Sequence, residues 1–176
     1  MPRIGLVGKR IITEAQELVS DMLGVSYEEI PLFDLHWSGH RPDCGWLASD
    51  TMEADRVWMG NKLYKSGKLD CNALSVPGEE GKFLKKVEQL IELMAMIYYL
   101  TATGVARAPE FVLLRWYGSE SSPSSFHRYR GLLMIHSVNQ KSARYCEYEV
   151  LRFLPECASQ LYMKVFRFIF PMRTAH

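Results

Sequence analysis

The chain has 176 residues, 48% hydrophobic and 12% aromatic, with 21 Lys and Arg against 20 Asp and Glu for a formal charge of +1. That length and apolar share suffice for a buried core in one domain, or a domain with an annex, and exclude a disordered tail. The near-zero balance excludes a uniformly polycationic surface, but residues 104–176 hold 10 Lys and Arg against 5 Asp and Glu, while residues 1–103 hold 11 against 15. Such asymmetry suits a polyanion-facing C-terminal part on a neutral support, with scattered arginines on a solvated surface as the alternative.

No secretory leader is expected, because the apolar run after Met1-Pro2-Arg3 is short and is broken at Gly8-Lys9-Arg10. Thr13-Glu14-Ala15-Gln16 has the form of a capping box, and Ala15, Leu18, Val19, Met22 and Leu23 recur at helical spacing up to Gly24. This predicts a first helix over Thr13–Leu23. From Ser26 to Ser49, Pro31, Gly39, Pro42 and Gly45 predict an irregular connection, with Phe33, Trp37 and Trp46 as local core rather than a base-stacking platform. His36, His40 and Cys44 in this stretch are read as loop surface and not as a metal site, since Gly39 and Pro42 interrupt any helix that would align them and a fourth ligand is not evident. The four cysteines, Cys44, Cys71, Cys146 and Cys157, follow no disulfide framework and read as reduced thiols.

Asp50 starts a predicted second helix that runs through Trp58 and Tyr64 to Ser66-Gly67. After Pro77-Gly78, a long helix over Glu79–Thr101 buries Phe83, Leu84, Val87, Leu90, Ile91, Met94, Ile97 and Tyr98. Its most apolar part, Leu90–Leu100, carries Glu92 and is too short to cross a bilayer, so no membrane partner is expected.

Thr103-Gly104 leads to Arg107 at a turn, followed by Pro109 and an apolar helix through Trp116. A helix start offers free N–H groups, and a guanidinium beside it grips two phosphate oxygens. Capping of the preceding helix, or a pair with Glu110, is the plain alternative for Arg107. Beyond the turn-rich Gly118–Ser125, the runs Gly131–Val138 and Tyr145–Phe153 predict a hairpin, and a last helix runs from Pro155-Glu156 to Phe170. The fold class expected is mainly α with a small two-stranded antiparallel β ribbon (α+β), divided into a helical annex over 1–78 and a second domain over 79–176.

The ordered set Thr103-Gly104, Ala106-Arg107-x-x-Glu110-Phe111-x-x-Leu114-Arg115-Trp116, Lys141-Ser142, Arg152-Phe153-Leu154-Pro155, Leu161-Tyr162 and Phe170-Pro171 resembles the tyrosine recombinases. It is most similar to the recombinase-like region upstream of the motor in fungal telomere-linked RecQ-type helicases. Weaker similarity reaches back through Glu14–Leu18 and Gly45-Trp46-Leu47.

The resemblance implies a partial recombinase-like catalytic fold, in which Arg107 matches the first transition-state arginine, Glu110 the acid that follows it, and Lys141 the hairpin lysine that helps protonate the leaving sugar oxygen. It also implies that the second arginine box and the nucleophilic tyrosine lie downstream of the segment that ends near Pro171, which makes this chain a non-catalytic fragment. His127-Arg128-Tyr129-Arg130 spells His-x-x-Arg but precedes the lysine, and is read as a loop near backbone phosphate. A Gly-x-x-x-x-Gly-Lys-Ser/Thr loop is absent, so no nucleotide cofactor is expected.

The function expected is weak, non-specific association with duplex DNA through Arg115, Arg128, Arg130 and Arg144 together with Arg107 and Lys141, with nuclear residence on the resemblance alone. The alternative is a structural or protein-interaction helical domain that self-associates through apolar surface left open at Phe166, Phe168, Ile169 and Phe170.

Overall fold

The computed structural model describes residues 2–32, 61, 79–104, 114–115, 124–139 and 148–170. Helix α1 spans Pro2–Leu23 and buries Gly8, Ile12, Ala15, Val19, Met22 and Leu23, a three-and-four spacing that draws one stripe along its length. It begins well before the expected Thr13. The Thr13 hydroxyl donates to the Lys9 carbonyl one turn back, so this residue sits inside the helix instead of capping it. Gly24, at φ 68°, ends the helix with its N–H on the Ser20 carbonyl, a left-handed position that glycine takes without strain.

Helix α2, Glu79–Thr101, has the expected bounds and buries Val87, Leu90, Leu93, Met94, Ile97 and Tyr98. Its predicted stripe is corrected at one position, since Leu84 is exposed. The helix lies antiparallel to α1: Lys86 pairs with Asp21 near one end, and near the other a methyl at Gly8 would stand 3.4 Å from Thr101 Cγ2.

Three antiparallel strands follow in the order β1 (Phe126–Tyr129), β2 (Leu132–Asn139) and β3 (Tyr148–Phe153). The expected two-stranded ribbon is therefore a three-stranded sheet, because His127-Arg128-Tyr129 extends beside β2 instead of looping out. Phe126 pairs with Ile135 and Tyr129 with Leu132. Arg130 and Gly131, both at positive φ (48° and 84°), form the two-residue turn between them, matching the right-handed strand twist as a type I′ turn does. On the other side, Ile135 pairs with Arg152 and Asn139 with Tyr148.

Helix α3 spans Glu156–Lys164 after Pro155 and continues through a π-helical turn, Val165–Ile169. The apolar surface expected to stay open here is closed, since Phe166, Phe168, Ile169 and Phe170 are all buried. Phe126 of the sheet meets the Phe166 ring edge-on at 4.8 Å, and the Tyr162 hydroxyl donates to the Met94 carbonyl of α2. One core joins residues of α1, α2, the sheet and α3. No helix among the described residues is long and apolar enough to cross a membrane. Of the expected helix from Asp50 only Asn61 is described, and it is helical; most of the segment from Ser26 to Gly78 lies outside the described residues.

Two polar contacts fix the last helix. The fully buried Ser159 hydroxyl accepts the Leu133 N–H at 2.9 Å and donates to the Leu154 carbonyl at 3.0 Å, tying α3 to β2 and to the end of β3. Lys164, only 1% exposed, donates to the Tyr27 carbonyl at 3.0 Å and lies 3.7 Å from the centre of the Tyr27 ring. Burial holds this ammonium below the usual lysine range, partly offset by Glu28.

Removing the serine hydroxyl strands a buried donor and a buried acceptor, so Ser159→Ala is expected to lower unfolding free energy by about 1–3 kcal/mol, measured by urea denaturation. Tyr27 supplies a pH signature. Burial pushes its phenol from 10.0 up to about 12, so the folded chain keeps a proton that the unfolded chain has released. That stabilisation is complete below pH 10 and is lost as pH rises toward about 12. The wild type is expected to lose more stability than Tyr27→Phe across this window, and parallel denaturation midpoints for the two would contradict the shift.

Candidate functional site

Backbone pairing fixes where the proposed nucleic-acid residues stand. At the outer edge of β3, Thr103 N–H donates to the Phe153 carbonyl at 3.2 Å and Thr103 Oγ1 accepts the Phe153 N–H at 2.9 Å. At the outer edge of β1, Ser125 N–H donates to the Arg115 carbonyl at 2.7 Å, and Arg115 N–H donates to Ser125 Oγ at 3.0 Å. Chain thus meets each sheet edge at one end, at Phe153 of β3 and at Ser125 just before β1. The stretch holding Arg107 and Glu110 starts beside one edge and ends beside the other.

Arg107, Glu110, Lys141 and Arg144 lie outside the described residues. Leu114 and Arg115 are described and are not helical, so the helix expected through Trp116 does not extend across these two positions. Lys141 falls by sequence between β2 and β3.

The described arginines do not gather on one surface. Arg115 is exposed beside the start of β1, and Arg130 is exposed in the turn at its far end, its guanidinium 5.3 Å from the Tyr129 ring centre. Arg128, half-buried, pairs with Leu133 and shares strand parity with Phe126, on the side that faces α3. Of the expected DNA-contacting arginines, Arg115 and Arg130 are thus exposed at opposite ends of β1, and Arg128 lies half-buried between them.

The charge excess of the C-terminal part is also partly internal. Arg152 is 5% exposed and donates to the Ser137 hydroxyl at 2.9 Å across the inner face. Arg167 is 9% exposed within the π-helical turn, and Lys164 is enclosed against Tyr27. These three enclosed cations cannot reach a phosphate directly.

The tyrosines that lie among the described core residues are poor nucleophiles. Tyr162 is buried, with its hydroxyl committed to Met94, and burial together with Tyr98 drives its phenol well above the usual range. A phenolate there has no stabilising partner.

The opposite sheet face carries a group that the sequence pattern does not single out. Strand alternation puts His127, Tyr129, Leu132, Met134, His136, Glu149, Leu151 and Phe153 on the side away from α3. The Tyr129 and Phe153 rings are 5.9 Å apart, and His127 and His136 are 6.1 Å apart with a 54° tilt. His136 Nε2 stands 3.9 Å from Glu149 Oε2. Burial, reinforced by His136, lowers the His127 pKa. No protein-family model matches the chain, and neither a curated protein nor a solved structure shows significant similarity to it.

Arg130 holds a left-handed φ that costs a branched or long side chain on the order of 1 kcal/mol and that Asn tolerates. Arg130→Asn creates the Asn-Gly pair favoured in this turn and is expected to raise thermal stability by about that amount, read from the denaturation midpoint. An unchanged or lower midpoint would mean that the contact with Tyr129 outweighs the backbone strain.

Proposed function

We propose that the chain is a non-catalytic, DNA-associated domain of the tyrosine-recombinase-like kind found beside telomere-linked RecQ-type helicase motors, nuclear in residence. What carries the reading is the order of elements along the chain. A long helix is followed by the Arg107 segment, then by antiparallel strands whose β2–β3 connection holds Lys141, and then by a helix that starts directly after Arg152-Phe153-Leu154-Pro155. That order supports the assignment of Arg107 and Lys141 as remnants of a phosphodiester-facing pocket, with Glu110 in support and Arg144 near the lysine in sequence.

The non-catalytic half of the reading has a chemical ground. On the resemblance, covalent cleavage needs a second arginine box and a nucleophilic tyrosine downstream of Pro171, and Tyr162 cannot stand in for that tyrosine because it is enclosed and hydrogen-bonded. DNA association would then rest on a few cations rather than a broad field: Arg107, Lys141, Arg144, and whichever of Arg115 and Arg130 lies nearest the duplex. Affinity of that kind is weak, falls with salt, and does not depend on sequence.

Fluorescence anisotropy with labelled duplex at graded salt tests the reading. The wild type should bind with a shallow salt slope, and Arg107→Ala with Lys141→Ala should reduce that slope by about 0.9 for each phosphate that the variant no longer neutralises. A salt-independent signal, or one identical in the double variant, removes the DNA-binding assignment.

A further inference from the structure

We propose that His127 and His136 form a two-imidazole site for a late first-row divalent cation such as Zn2+, with the Glu149 carboxylate at its rim. The site bridges two strands. His127 pairs in register with Met134, so His136 is its diagonal neighbour on the same face, and Glu149, paired with Val138, continues that diagonal onto β3. The three side chains therefore project from three adjacent strands on the side away from the core.

Ring geometry fits shared ligation. With Zn–N bonds of about 2.0–2.1 Å, two imidazoles on one tetrahedral ion have centroids roughly 5 Å apart; those of His127 and His136 are 6.1 Å apart at a tilt of 54°, so the rings close by about 1 Å to share an ion. One nitrogen of His127 is hydrogen-bonded to the backbone of Ser124, the kind of contact that fixes ring orientation and leaves the second nitrogen to bind a metal. His136 Nε2 is enclosed and makes no hydrogen bond, while a carboxylate oxygen stands 3.9 Å away. A metal ion would satisfy that nitrogen and the nearby negative charge together.

Among the described residues no three His, Cys, Asp or Glu side chains already form a metal-holding group. The ion would accordingly take two protein nitrogens, and because His136 Nε2 is enclosed, binding requires the side chains around it to part, with the 75%-exposed Glu149 carboxylate free to swing in as a third ligand. Imidazole donors select Zn2+, Cu2+ or Ni2+ over Mg2+ and Ca2+. Because the ligands come from β1 and β2, the bound ion would clip the edge strand to the centre of the sheet and stabilise the folded state by mass action.

Calorimetric titration of untagged chain with Zn2+ is the test, with 15N spectra of the imidazoles recorded in parallel. One ion per chain is expected to bind, His127→Ala and His136→Ala should each weaken it at least about tenfold, and a His36→Ala/His40→Ala variant should bind as the wild type does. In the wild type, the imidazole signals of His127 and His136 should shift together, a readout that does not depend on the variants folding. Absence of saturable binding overturns the proposal, as does binding that survives both single variants or shifts confined to His36, His40 or His176.

Discussion

The structure depends on enclosing a helix that has no solvent face. From Leu161 through Phe170 every residue of α3 and its π-helical continuation is buried, including Lys164 and Arg167. A helix apolar on most sides needs cover on all of them, and α1, α2 and the inner face of the sheet supply it. The charged positions make that cover specific. An ammonium removed from water needs oxygen or π-electron density nearby, and Lys164 finds both at Tyr27, a residue 137 positions earlier in the chain. Without the turn that follows α1, the charge on α3 would be left in an apolar interior. The N-terminal 30 residues and the C-terminal helix are therefore one energetic unit despite their separation in sequence.

Local pattern was enough to locate α2, the start of α3 at Pro155-Glu156 and the β2–β3 pairing, because each had an unbroken apolar period or a strong boundary residue. It failed where local signals pointed the wrong way. Pro2, Gly5 and Gly8 depress helix propensity, and Thr13-x-x-Gln16 imitates a cap, yet the first half of α1 is helical. Gly8 is buried beside Thr101, whose Cγ2 would stand 3.4 Å from an added methyl. Tertiary approach outweighs a propensity cost of about 1 kcal/mol at such a site. Strand β1 was hidden for a different reason: Arg-Tyr-Arg-Gly lacks the Asn or Asp usual in a two-residue hairpin turn, and Arg130 nevertheless takes the left-handed conformation.

The site was less legible than the fold. Resemblance selected arginines by order along the chain, whereas a surface is set by strand parity and by chain ends. Arg128 and Arg130 are two residues apart, but one belongs to the half-buried inner side of an edge strand and the other to the tip beyond it. The pair His127 and His136 shows the converse. Nine residues separate them and no motif joins them, yet a two-residue turn and antiparallel register bring their rings within 6.1 Å. Knowing that Arg130-Gly131 closes a two-residue hairpin would have predicted that proximity, since turn length fixes register and register fixes which side chains share a face.

Charge counted along a sequence is not charge presented to a ligand. The C-terminal part carries an excess of cations, but Arg152, Lys164 and Arg167 are enclosed by the core, where their fields act on nearby carbonyls, hydroxyls and rings. An interior guanidinium cannot make the direct two-oxygen contact with a phosphate that a surface one makes, although its net charge still adds to the long-range potential. Among the described residues of this part, Arg115 at one end of β1 and Arg130 at the other are exposed, as are Glu149 and Glu156. Among the described residues the exposed arginines of this half therefore stand at opposite ends of one strand, so an excess of cations counted along the sequence does not by itself place them together on a surface.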